Sequence, residues 1–139
     1  MWPFIVYGGN TSQFLTDKTD IELFQFLKSE FKKKSNPDII RIDSNKLIIR
    51  NEFPYRKSLN LVDVTDRIVF TYSNGKLKYK IYLIGMFIIH SVIGVIAGLV
   101  SNNLIVGIFI FLLIYLINYM HVFRIKKFIN LKIKELQNF

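Results

Sequence analysis

The chain reads as a membrane protein: a small N-terminal α+β domain, a transmembrane helical hairpin, and a basic amphipathic C-terminal helix. Three observations carry that fold class. Residues 81–123 hold no Asp, Glu, Lys or Arg over 43 consecutive positions, and about 20 apolar residues suffice to span a bilayer as a helix. Basic residues crowd both flanks, Lys76, Lys78 and Lys80 before the run and Arg124, Lys126 and Lys127 after it. Before the run, one segment of helical apolar spacing is followed by several short β-prone runs. The boundaries expected are 1–80 for the domain, 81–100 and 104–123 for the hairpin, and 124–139 for the tail.

Within the domain, residues 3–7 are apolar and β-prone, ending at Gly8-Gly9. Pro3 restricts such a strand to a sheet edge or a strand start. A polar loop over 8–18 follows. Thr19-Asp20-Ile21-Glu22 is a capping-box pattern, in which the Thr hydroxyl and the Glu carboxylate satisfy each other's backbone amides. Ile21, Phe24, Leu27 and Phe31, with Leu23 beside them, then recur at helical steps. Lys32, Lys33 and Lys34 complement the negative end of the helix dipole, and Asn36-Pro37 stops it. A helix over 20–34 is therefore expected.

Beyond Pro37 the pattern turns to strands. Runs 39–42 and 46–50 flank the turn composition Asp43-Ser44-Asn45, and runs 59–64 and 67–72 flank Thr65-Asp66. Asn74-Gly75 marks a type I′ hairpin turn, since both central residues need positive φ. After it, Leu77, Tyr79 and Ile81 alternate with Lys76, Lys78 and Lys80, giving one apolar and one lysine face. One helix with meandering strands suits an α+β domain, with a compact β-barrel of the pleckstrin type as the alternative. That analogy concerns fold and licenses no function.

The hairpin turns at Ser101-Asn102-Asn103, which carries no charge. The domain holds 14 Lys and Arg against 9 Asp and Glu, and the tail 5 against Glu135 alone. Cytoplasmic flanks of membrane helices are enriched in Lys and Arg. Both termini are thus expected in the cytoplasm, with the protein a two-pass component of a bacterial inner membrane. The first ten residues lack a basic region, a long apolar core and a cleavage site, so no signal peptide is expected. Absence of cysteine excludes disulfides, thiolate metal sites and Cys nucleophiles. In the tail, Ile125, Ile129, Ile133 and Leu136 form one stripe that needs a partner surface.

Candidate functional residues fall into three groups. Ser91, Gly94, Ala97, Gly98 and Gly107 are helix-packing positions, with Gly94 and Gly98 forming a Gly-x-x-x-Gly pair that permits close backbone approach. With the turn at Asn102, position n faces about 204 − n, which sets Gly107 beside Ala97 and His90 level with Tyr115. His90, Tyr115 and Asn118 are intramembrane polar residues. Ionisable groups there raise the idea of a proton relay, but no Asp, Glu, Lys or Arg continues one. A neutral imidazole hydrogen-bonded at a helix interface is the expected role. His121 lies about 10 Å from the depth of His90, which excludes bis-histidine haem within one hairpin. Lys76, Lys78, Lys80, Arg124, Lys126 and Lys127 are expected at anionic lipid headgroups and to set topology.

Gly8-Gly9-Asn10-Thr11-Ser12 has the small residues of a phosphate loop but lacks its Gly-Lys-Ser/Thr ending. Asp63 and Asp66 read as turn residues. Aromatic residues Phe53, Tyr55, Phe70, Tyr72 and Tyr79 interleave with bases, without an RNA-recognition signature. Neither histidine lies in the domain, so no Ser-His or Cys-His set for nucleophilic catalysis is available there. No cofactor and no metal site is expected. The function expected is a non-enzymatic accessory or scaffold subunit of a larger membrane complex. A membrane-tethered sensor or effector is the alternative, and a pore-forming, holin-like hairpin is less favoured. Partners expected are other membrane subunits and anionic headgroups, with homo-oligomers open and nucleic acid disfavoured.

Overall fold

A computed structural model of the chain describes residues 6–10, 19–35, 37, 39–43, 45–50 and 65–137. The elements in order are β1 (Val6–Asn10), α1 (Asp20–Ser35), β2 (Ile39–Asp43), β3 (Lys46–Arg50), β4 (Arg67–Ser73), β5 (Lys76–Tyr82), α2 (Ile84–Val100) and α3 (Leu104–Gln137). The strands form one antiparallel sheet of order β1-β5-β4-β3-β2. The sheet is open, so the barrel alternative does not hold.

Local chemistry accounts for most boundaries. At the start of α1 the capping box closes: Glu22 N–H donates to Thr19 Oγ1 at 3.3 Å, and Thr19 N–H donates to Glu22 Oε2 at 3.1 Å. The buried stripe of α1 is Leu23, Phe24, Leu27 and Phe31. Ile21, expected in that stripe, is 57% exposed because it sits about 100° round the helix from the stripe's centre. Asn74 at φ 52° and Gly75 at φ 70° supply the left-handed pair that the tight turn between β4 and β5 requires.

β1 departs from expectation. It runs through Gly8 and Gly9 to Asn10 instead of stopping before them, pairing Gly8 with Lys80 and Gly9 with Tyr79. The Tyr79 ring lies over Gly9, where any Cβ would strike it, so glycine is the residue that fits. The two glycines are strand and not a phosphate loop. The remaining expected strand residues 3–5, and the run 59–64, lie outside the described residues. β4 pairs with β3 on one side and β5 on the other.

One sheet face is buried under two helices. Leu47, Ile49, Ile68, Phe70, Leu77, Tyr79 and Ile81 point from the sheet toward α1 and the C-terminal half of α3. From α3, Val122, Ile125, Ile129 and Ile133 join this core, with Leu136 partly buried against it. The amphipathic tail therefore finds its partner in the domain itself. Phe31 bridges the two helices, 5.7 Å from Phe70 and 5.2 Å edge-on from Phe128 between ring centres. Lys132 adds a 3.0 Å ion pair to Glu30, linking α3 to α1.

α3 is one unbroken helix of 34 residues, long and apolar enough to cross a membrane. α2 is shorter than expected. Ile81 and Tyr82 complete β5 and Leu83 precedes the helix, leaving 17 residues or about 25 Å. The first half of α3 packs antiparallel on α2. Phe87 meets Phe111 and Tyr115 edge-on, at 5.6 and 6.1 Å between ring centres.

Candidate functional site at the junction of sheet and apolar helices

Strand β5 passes into α2 through Leu83 alone, whose side chain is buried and supplies no cap. The orphan amides at this helix start must find acceptors elsewhere. Asp66, at the foot of β4, provides one: Gly85 N–H donates to its Oδ2 at 2.8 Å. Asp66 N–H in turn donates to the Tyr82 carbonyl at 3.0 Å. The β4 start and the α2 start are thus clamped from both directions. A Cβ on Gly85 would lie 2.5 Å from Asp66 Oδ1, so this contact needs glycine. Burial pushes the Asp66 carboxyl above its ordinary range, opposed by the amides of Gly85 and Ile84 and by Arg67 and Arg50. Asp66 is more than a turn residue, although nothing local in the sequence marks a cap 19 positions away.

On the other side of the junction, Lys126 turns inward. Its ammonium donates to the Tyr7 hydroxyl at 3.1 Å and lies 5.6 Å from that ring's centre. This hydrogen bond holds the Lys126 ammonium above its ordinary range. Tyr7 also meets Tyr119 edge-on at 6.4 Å. Phe111, Tyr115, Tyr119 and Phe123 follow at four-residue steps, and neighbours along this column contact ring to ring. Tyr79 is buried, which raises its phenol, and its hydroxyl has no hydrogen-bond partner among the described residues.

The helix-packing candidates divide. Gly107 sits against Gly94 and Gly98: a Cβ there would come within 2.5 Å of the Gly94 carbonyl. Gly94 is nearly as tight against Phe111, whereas a Cβ on Gly98 would make ordinary contact at 3.6 Å. Ala97 is half-buried. Ser91 is satisfied within its own helix, donating to the Phe87 carbonyl at 2.8 Å. At the turn, Asn103 caps α3 through Oδ1, which accepts from Ile105 N–H at 2.9 Å.

His90 is buried at 1% exposure, edge-on to Tyr115 at 6.5 Å between ring centres. The side chain of Asn118 lies outside the described residues. Lys76, Lys78 and Lys80 project from the open sheet face, and Arg124 and Lys127 are exposed on α3. Lys76 stands about 23 Å up the strand from Leu83, well beyond the screening length of physiological salt. Only Lys80 of the three is near the helix start.

Phe70 and Tyr79 face the core, so neither offers a ring for base stacking. Phe53 and Tyr55 lie outside the described residues. Among the described residues no group of three His, Cys, Asp or Glu could hold a metal ion. The junction's chemistry is that of a mechanical joint: a carboxylate cap, an inward lysine and an aromatic column. No family model, curated protein or solved structure matches this chain.

Proposed function

We propose that this chain is a non-enzymatic, membrane-anchored accessory or scaffold subunit. In this reading α2 and the first half of α3 cross the bilayer as a hairpin and hold the basic domain at its surface. The observation that carries the membrane part is the surface of those helices. From Ile84 to Phe123 large apolar side chains are exposed on the outward face of both helices, including Ile88, Val95, Leu99, Leu104, Phe109, Leu112 and Leu116. An exposed apolar surface of this extent needs lipid or protein around it. The 17 residues of α2 lie at the short end of the spanning range. Tyr82 and Leu83 extend its reach toward the headgroups.

The accessory role rests on rigidity. α3 continues from the apolar segment into the domain core without a linker, and the Asp66 clamp ties α2 to the same sheet. Such a joint fixes the domain at one height and orientation, as a docking surface in an assembly needs. The same rigidity would serve a tethered sensor, because a shift in the sheet would move both helices. Purification from the native host in mild detergent tests the two readings. A stoichiometric membrane protein partner supports the accessory role. Recovery of the chain alone, with a bound small molecule, supports the sensor.

A further inference from the structure

The sheet has a buried face and an open one, and the edge of the open face nearest α2 carries an unusual juxtaposition. Arg50 and Arg67 are direct cross-strand partners, and Tyr82 is the partner of Arg67 on the next strand. All three point away from the core, since Ile49, Ile68 and Ile81 beside them point in. The Arg67 guanidinium carbon lies 4.2 Å from the centre of the Tyr82 ring, within cation–π range. Like charges placed directly opposite destabilise a sheet. Both side chains are exposed, and among the described residues neither has a carboxylate within the roughly 4 Å of an ion pair; the Asp66 carboxylate feels both charges but is turned to the Gly85 amide. Lys80 adds a third cation on the diagonal from Arg67.

We infer that Arg50 and Arg67, floored by Tyr82, bind the phosphate of an anionic phospholipid headgroup. Two guanidinium groups about 5 Å apart at the backbone can share one phosphate through charge-assisted hydrogen bonds, which removes their repulsion. The level is right for a headgroup: Tyr82 precedes the first residue of α2 by two positions. Arginine and tyrosine are also the side chains suited to that interface. The inference rests on the membrane reading above.

The test uses the full chain in phosphatidylcholine nanodiscs containing a minor fraction of phosphatidylglycerol, with retained lipid read by native mass spectrometry. Wild type should keep one phosphatidylglycerol in preference to phosphatidylcholine. Arg50→Gln with Arg67→Gln should weaken that preference about 25-fold, at roughly fivefold per cation, and a thermal melt of the same variant checks that it stays folded although Asp66 loses two neighbouring cations. Lys76→Gln with Lys78→Gln, higher on the same face, should change it less than about twofold. Equal losses in the two double variants would mean a diffuse field and overturn the site. So would undiminished preference in the arginine variant, or displacement of the lipid by millimolar inorganic phosphate. Nucleic acid that co-purifies with wild type and is lost on Arg50 and Arg67 replacement would also overturn it. A chain that inserts into no disc of any composition defeats the membrane reading itself, a result separable from lost selectivity.

Discussion

At the scale of single residues, two carboxylates, one tying α2 to the sheet and one tying α1 to α3, respond oppositely to pH. Asp66 accepts from the α2 amides, yet its burial raises its folded pKa. A raised folded value means its favourable contribution is full below the ordinary Asp range near 4 and is lost as pH rises through the raised value. Asp66→Asn keeps an acceptor and removes the buried charge, so thermal unfolding in detergent at pH 7 should be unchanged or raised. Asp66→Ala loses the cap and should cost about 1 kcal/mol. If Asn proved as damaging as Ala, the charge itself would be required. Glu30 behaves in reverse. Hydrogen bonds from Lys132 and Lys33 lower its pKa, so its contribution is present above the ordinary Glu range and disappears as pH falls through the lowered value. Glu30→Gln should flatten the loss of melting temperature between pH 6 and 3, on the order of the carboxylate range. Neither carboxylate was legible as a tether, because each acts on a residue far away in sequence and no local spacing records such a partner. The capping box at Thr19 and the Asn74-Gly75 turn were legible because cause and effect lie within four residues.

At the scale of elements, sequence periodicity set the amphipathic tail, the alternation of β5 and the helical stretch of α1, each of which has its own repeat. It misplaced the ends where tertiary contact overrides local preference: Gly8-Gly9 reads as a stop but serves as strand beneath Tyr79. The uncharged run likewise begins inside β5, because a strand with one buried face needs no charge at Ile81. Sequence offered Gly94, Gly98 and Gly107 alike as packing glycines, whereas contact is tight at Gly107 and Gly94 and ordinary at Gly98. Gly107→Ala drives a methyl against the Gly94 carbonyl and should destabilise the α2–α3 pair by about 1–3 kcal/mol. Gly98→Ala meets only ordinary van der Waals distance and should be tolerated. Thermal melts of the two variants in the same detergent separate them; equal tolerance would remove close packing at Gly107. Within the core, Ile129→Ala should cost about 2–5 kcal/mol, because that side chain is fully buried between α3 and the sheet. A negligible cost there would mean that the tail does not dock on the domain.

At the scale of the whole molecule, the chain is one joint between an apolar helix pair and a basic sheet, so its orientation decides what each end can meet. The uncharged turn at Ser101-Asn102-Asn103 and the Ser73-Asn74-Gly75 turn sit at opposite ends. The first terminates the apolar helices; the second lies at the far end of β4 and β5 from the start of α2. Lys and Arg are concentrated on the Ser73 side, which cytoplasmic retention favours. Since the native chain has no cysteine, single-cysteine variants report without background. Asn102→Cys should react with an impermeant maleimide added to intact cells, and Ser73→Cys should react only after the cells are opened. Both positions are exposed, so accessibility within the fold does not limit either reaction. Labelling of Ser73→Cys from outside would reverse the orientation and remove the cytoplasmic docking role. Protection of both positions would place the Asn102 turn within the membrane or on its inner side, and the two-pass hairpin would fail.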